Sequence, residues 1–341
     1  MGTVGVIANP AAGKDIRRLV AHASPTSDAA KMGVVRRAVL GAIDAGATRI
    51  VVAPDRHNLS TRAVEGLDLS ASAAAGVTIE VLDEPAHGWS GDTIAMATRM
   101  AKEDVDAVLV LGGDGTQRDV AKGWLDLPLV AISTGTNNVF PRSVDATLAG
   151  LAAGLVAAGV VPIGQVSHRA KVAHVSYDDG SNDDLALVDL VLMDGQFTGS
   201  RAVWEPGSLR ALIACIAEPA AVGLSSIAGL LMAVDRRSPG GVHVEFGGPH
   251  VVRAPLAPGM FADIVYSSVR ALMVGSPVVL RGPGVLSFDG ERDKVLAEGA
   301  TATVHIRPDG PRVIDVDATI AAAARGRHFH RPEVPEVPGV S

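Results

Sequence analysis

Cysteine occurs once, at Cys215, which excludes an intramolecular disulfide and a cysteine-based zinc site. Aromatic residues are only 3% of the chain, too few to supply stacking platforms for single-stranded nucleic acid. Basic residues are outnumbered, 30 against 37 acids, and the net charge of -7 argues against a protein that tracks a phosphate backbone. No nucleic-acid partner is expected. The opening Met1-Gly2-Thr3-Val4-Gly5-Val6-Ile7 lacks a basic segment ahead of a long apolar run, so no signal peptide is expected. The most apolar stretch, Leu209 to Val234, is interrupted by Arg210, Glu218 and Pro219. It reads as a buried helical hairpin and not as a membrane span. A cytoplasmic protein with no membrane partner is expected, assembled as a homo-oligomer.

What is present fits a compact globular chain. Its 341 residues exceed a usual single core, so two domains are expected. Residues 1–159 alternate β-branched runs with helical patterns. Val4 to Ala8, Arg49 to Ala53, Val77 to Leu82, Ala107 to Leu111 and Leu129 to Ser133 read as buried strands. Met32, Val35, Val39 and Ile43 form one apolar stripe on a helix over Lys31 to Ala45. Further helices are expected after Asp92, from about Thr116, and over Val144 to Ala158. Such alternation predicts an α/β domain with a parallel sheet covered on both faces.

Residues 160–316 change texture. Val172 to Tyr177, Ala186 to Met193, Val242 to Phe246, Ile264 to Tyr266, Pro277 to Leu280, Val285 to Phe288, Ala302 to Ile306 and Val313 to Val316 read as strands. Turns such as Asp178-Asp179-Gly180 and Asp289-Gly290 separate several of them. A mostly antiparallel, β-rich second domain is expected, with a helical insert near 207–234. Residues 317–341 should hold a short helix and a flexible, proline-spaced tail.

The strongest chemical signal is the apolar run Asp106 to Leu111 followed by Gly112-Gly113-Asp114-Gly115-Thr116. A strand feeds a glycine-rich turn that opens a helix, at the sheet edge where open α/β proteins bind ligands. Glycines admit an anion to the backbone, and the helix start presents free N–H groups to a phosphate. Asp114 is out of place in a purely phosphate-binding loop. It could accept a proton from an attacking hydroxyl or hold magnesium between phosphates. The plain alternative is a tight turn whose Asp caps the next helix.

Two other phosphate motifs are absent. A Walker loop would require Gly at position 8 and Ser or Thr at 15, where Ala8 and Asp15 stand. The dinucleotide fingerprint fails at Arg118, where its third Gly belongs. Instead, Asn9-Pro10-Ala11-Ala12-Gly13-Lys14 follows the first strand, and Thr134-Gly135-Thr136-Asn137-Asn138 follows the fifth. Asn9 could position a phosphate or the Asp114 loop, and Lys14 could neutralise charge. The hydroxyls and amides of the third loop suit phosphate or ribose.

These loops, in this order, resemble the superfamily of NAD kinases, diacylglycerol kinases and sphingosine kinases, whose signature is Gly-Gly-Asp-Gly-Thr. Within it, Ile7 to Arg17, Glu218-Pro219 and Val222-Gly223-Leu224-Ser225 look most like the NAD-kinase-like X proteins of acetoin catabolism. The resemblance implies phosphoryl transfer from ATP, with magnesium held mainly through phosphates, to the 2′-hydroxyl of NAD or a related nucleotide. Asp114 would be the base. Gly112, Gly113, Gly115 and Thr116 would cradle phosphates, with Asn9, Gly13, Lys14, Thr134, Gly135, Thr136, Asn137 and Asn138 around the nucleotide. Asp189 would grip the acceptor, although Val188 precedes it where NAD kinases place Asn. The Gly-Ser-Thr-Ala-Tyr segment of NAD kinases is also missing, its nearest string being Gly207-Ser208-Leu209-Arg210. Two further readings therefore stand beside the kinase, a non-catalytic NAD- or ATP-binding protein and a lipid kinase.

Several groups are set aside. The ten histidines show no metal-ligand spacing, Ser225-Ser226 lies in no nucleophile elbow, and Asp289-Gly290 reads as a hairpin turn.

Overall fold

The computed structural model describes residues 2–12, 27–67, 76–135, 137–195 and 206–330. Gly13, Lys14 and Thr136 lie outside the described residues, as does the tail from 331.

The first five strands are β1 (Gly2–Ala8), β2 (Ala47–Val52), β3 (Thr78–Val81), β4 (Ala107–Gly112) and β5 (Pro128–Ser133). Their connections carry helices α1 (Asp28–Asp44), α2 (Leu59–Val64), α3 (Ser90–Met100) and α4 (Asp114–Gly123), and α5 (Ala146–Ala157) follows β5. All five strands pair in parallel, in the order β3-β2-β1-β4-β5. β1 and β4 are buried along their whole lengths, as a parallel sheet covered on both faces requires. The order reverses between β1 and β4, so the loops leaving these strands flank the crevice where such sheets take ligands.

Small residues set the distance between layers. A Cβ at Gly150 would fall 1.9 Å from the carbonyl oxygen of Ala38, and one at Gly41 would fall 2.3 Å from that of Thr147. Helices α1 and α5 therefore touch backbone to backbone over the sheet. The abundance of glycine and alanine in these helices is a packing requirement here.

The chain then forms α6 (Ile163–Val166), β6 (Ser167–Arg169), β7 (Val172–Tyr177), β8 (Asp184–Ala186), β9 (Asp189–Met193) and β10 (Leu209–Ala214). After α7 (Leu224–Leu231) come β11 (Gly241–Ala257), β12 (Met260–Leu272), β13 (Pro277–Arg281), β14 (Gly284–Phe288), β15 (Glu291–Leu296), β16 (Thr301–Arg307), β17 (Arg312–Ile314) and α8 (Val316–Arg325). Two antiparallel sheets result, β12-β11-β10-β9-β14-β15 and β13-β16-β7-β8. A β-rich second half after a parallel α/β half is as expected.

Two features differ from the sequence reading. The apolar segment expected to be a helical hairpin is helical only over Leu224–Leu231, while Leu209–Ala214 is the strand β10. β10 sits inside its sheet between β9 and β11, so two-sided burial overrides its helix-favouring leucines and alanines. The first sheet also recruits strands from the later chain. β17 pairs in parallel with β5, and β6 runs antiparallel to β17, making seven strands. Segments at both ends of the expected second domain are thus part of the first sheet. Among the described residues no helix is long and apolar enough to cross a membrane.

Candidate active site

The turn after β4 opens α4 at its switch-point end. Gly113 stands at the cap position in extended geometry, and Asp114 is the first helical residue. The Asp114 carboxylate accepts hydrogen bonds from the amide of Val139, at 3.1 Å, and from that of Phe140, at 2.8 Å. These bonds clamp the carboxylate to the loop that follows β5.

The glycines around it admit particular neighbours. A Cβ at Gly112 would stand 2.4 Å from that of Thr116. At Gly113 it would lie 3.0 Å from Asn138 Oδ1, at Gly135 3.0 Å from Asn138 Nδ2, and at Gly115 3.0 Å from Glu291 Oε1. Asn138 therefore lies between the two glycine loops, and its Nδ2 also donates to Ser133 Oγ at 2.8 Å. Asn9 Nδ2 donates to Thr116 Oγ1 at 2.9 Å, and Asn9 Oδ1 accepts the amide of Ala11. The buried ammonium of Lys31 donates to the carbonyls of Pro10 and Ala12, both at 2.6 Å, and organises the loop after β1. Thr134 is buried beside this assembly.

Asp114, Asn137, Asp189 and Asp289 line one cleft. Its far wall comes from residues 222–225 and 256–257. Asp114, Asn137 and Asp189, singled out in the sequence, line the same cleft, although 75 positions separate Asp114 from Asp189.

Asp289 is the residue that sequence reasoning passed over. It does occupy a hairpin turn, between β14 and β15, with φ 49° followed by Gly290 at 85°. Its carboxylate, however, is buried and accepts the amides of Leu187 at 2.9 Å, Val188 at 2.8 Å and Asp189 at 3.1 Å. Burial pushes this carboxyl up to about 7, against the pull of the Arg118 guanidinium and of the Leu187 and Val188 amides, and Asp114 adds to the rise. Arg118 itself is buried. Its Nε donates to the carbonyl of Leu185 at 2.7 Å, its Nη2 pairs with Asp184 at 2.9 Å, and its guanidinium stacks 4.6 Å from the Phe288 ring centroid. Burial works against the charge of Asp184, but Arg118 and Lys122 hold its carboxyl below the ordinary range. The acid of an Asp-Gly pair close to Arg118 in space, but far from it in sequence, has no local signature. Glu291, two residues on, brings a second acid against Gly115.

The donor set around the cleft is carboxylate, amide and hydroxyl oxygen, which suits magnesium and not a softer ion. Among the described residues no three His, Cys, Asp or Glu side chains converge as a metal-binding group. The cleft therefore fits an ion that takes one or two carboxylates and completes its shell from ligand phosphates and water. Cys215 is buried, and burial pushes its thiol up, so it is inert.

Comparison with known proteins agrees with this geometry. Residues 4–160 match the ATP-NAD kinase N-terminal domain family, and residues 171–309 match the acetoin catabolism protein X C-terminal domain. Acetoin catabolism protein X of Cupriavidus necator is 35% identical over 98% of this chain and 95% of its own length. Yeast NADH kinase, solved in complex with NADH, superposes with a TM-score of 0.54 at 14% identity, over 98% of this chain and 90% of that one. The fold is therefore that of the NAD kinases, and by its full-length identity the chain belongs to the acetoin catabolism protein X family.

Proposed function

We propose that the chain is an ATP-dependent kinase that phosphorylates a nucleotide hydroxyl, with the 2′-hydroxyl of NAD as the leading acceptor. The family and fold support a nucleotide-directed, NAD-kinase-like function. The observation that carries the finer reading is the meeting of Asp114 and Asp189 in one cleft at the sheet's switch point. In this reading the acceptor hydroxyl lies against Asp114, which takes its proton as the oxygen attacks the γ-phosphorus of ATP and the bond to the β–γ bridging oxygen breaks. The amides of Val139 and Phe140 favour the ionised carboxylate and fix its direction. Asp189 and Asn137 hold the acceptor by its remaining hydroxyls. The donor's phosphates meet the N-terminus of α4 and the turn at Gly112 to Thr116, with Asn9, Thr134, Gly135 and Asn138 supporting the turn. Gly13, Lys14 and Thr136 are proposed to add to that surface. Magnesium, when bound, would neutralise the phosphates and draw on the carboxylates of Asp114 and Asp289.

One observation favours a second reading. No lysine or arginine stands among the described residues lining the cleft, while three aspartates do. A protein that binds NAD or NADH without turnover would tolerate that imbalance. Calorimetry with NAD, NADH and ATP, followed by an assay for NADP formation, separates the two. Tight NAD binding with no NADP formed under ATP and magnesium would overturn the kinase reading and leave the binding one.

A further inference from the structure

Arg236 grips the peptide that holds Asp114. Its Nη1 donates to the carbonyl of Phe140 at 2.5 Å, and its Nη2 donates to the carbonyl of Val139. Its Nε pairs with Glu218 Oε1 at 2.9 Å. The peptide unit joining Val139 to Phe140 therefore has its carbonyl on the guanidinium and its N–H on the Asp114 carboxylate. This aligns the peptide dipole between a cation and an anion, an arrangement in which each hydrogen bond strengthens the other.

Both ends of the device are held from the second half of the chain. The turn carrying Arg236 is fixed by Asp235, whose Oδ1 accepts the amides of Arg237 and Ser238, each at 2.7 Å. Lys171 adds a bond to the Asp235 carbonyl at 2.8 Å. Glu218 is anchored through its own amide, which donates at 3.2 Å to Ser225 Oγ, and Ser225 lines the cleft. The guanidinium side chain is only 16% exposed, so a long, mobile surface contact is not what is seen.

We propose that Arg236, braced by Glu218, is a positioning residue for the candidate base. It polarises and orients the Val139–Phe140 peptide, and through it fixes the Asp114 carboxylate. The kinetic consequence rests on the kinase reading; the structural one does not. A lysine could neutralise Glu218 but could not grip two carbonyls and the carboxylate with one fork.

The test uses the full chain and reads two signals. In Arg236→Gln and Arg236→Lys, the amide proton of Phe140, followed by NMR, should move upfield as its bond to Asp114 weakens, with the remaining spectrum and Tm close to wild type. If either variant fails to fold, Glu218→Gln serves in its place, with a smaller shift of the same sign. In the NADP-forming assay, kcat should fall roughly 10²-fold with KM for NAD little changed. Added guanidinium should restore part of the rate to an Arg236→Ala variant. An unmoved Phe140 amide in every folded variant overturns the proposal whatever the activity. A moved amide with no NADP formed by the wild-type protein keeps the positioning role and removes the kinase reading. A moved amide with kcat unchanged in an active enzyme overturns the catalytic consequence.

Discussion

Asn9 Nδ2 donates to Thr116 Oγ1 at 2.9 Å and so joins the loop after β1 to the first turn of α4, across the switch point of the sheet. The bond runs under the glycine turn, because only a glycine at 112 leaves room for Thr116. Asn9→Ala and Thr116→Val should each lower stability by about 1 kcal/mol. A double-mutant cycle should return a coupling of comparable size. Additive effects in denaturant melts would mean that the two loops are held by something else.

Asp289 should make stability depend on pH. Its folded carboxyl titrates near 7, above the ordinary 3.8, so the folded state binds the extra proton between these values. The group's contribution is therefore most favourable at low pH and is lost as pH rises through about 7. At 1.36 kcal/mol per unit the loss amounts to at most about 4 kcal/mol. Tm measured from pH 5 to 8 should fall more steeply for wild type than for Asp289→Asn. Parallel curves would contradict the assignment.

Arg118 ties Asp184, Leu185 and Phe288 together beneath the cleft and lowers the cost of charge on Asp289. Arg118→Met should destabilise the protein by about 3 kcal/mol or more, since Asp184 loses a buried partner. Arg118→Lys should recover little, because one ammonium cannot reproduce the fork. A loss under about 1 kcal/mol by chemical denaturation would show the network to be dispensable.

Gly150→Ala tests the close approach of α1 and α5. Its methyl would press on the Ala38 carbonyl, so one helix must shift. A loss of about 1–3 kcal/mol is expected, with the second-half sheets unaffected by hydrogen exchange. A stabilised variant, as the helix propensity of alanine alone predicts, would contradict the packing account.

Much of this was readable from residue patterns. β7 coincides with its sequence limits, because Val172–Tyr177 carries a clear alternation that ends in a turn. The Asp114 turn was legible for the same reason, a fully apolar strand ending in glycines. β10 was not, since Leu209–Ala214 is written in helix formers and becomes a strand only through neighbours on both sides. β6 and β17 are three residues each, too short to show a period. Asp289 and Arg236 escaped for a different reason. Their roles arise from backbone amides and carbonyls about a hundred residues away, and a backbone group leaves no trace in side-chain pattern.

The most direct trial of the account is single-turnover NADP formation by Asp114→Asn beside the wild-type protein, with ATP, magnesium and NAD in excess over their dissociation constants. Asparagine keeps the shape and one acceptor for the Val139 and Phe140 amides, so fold and NAD binding should persist. The rate should drop by about 10²–10⁴-fold, the usual contribution of a positioned base. A folded Asp114→Asn protein that forms NADP at the wild-type rate would contradict the central claim.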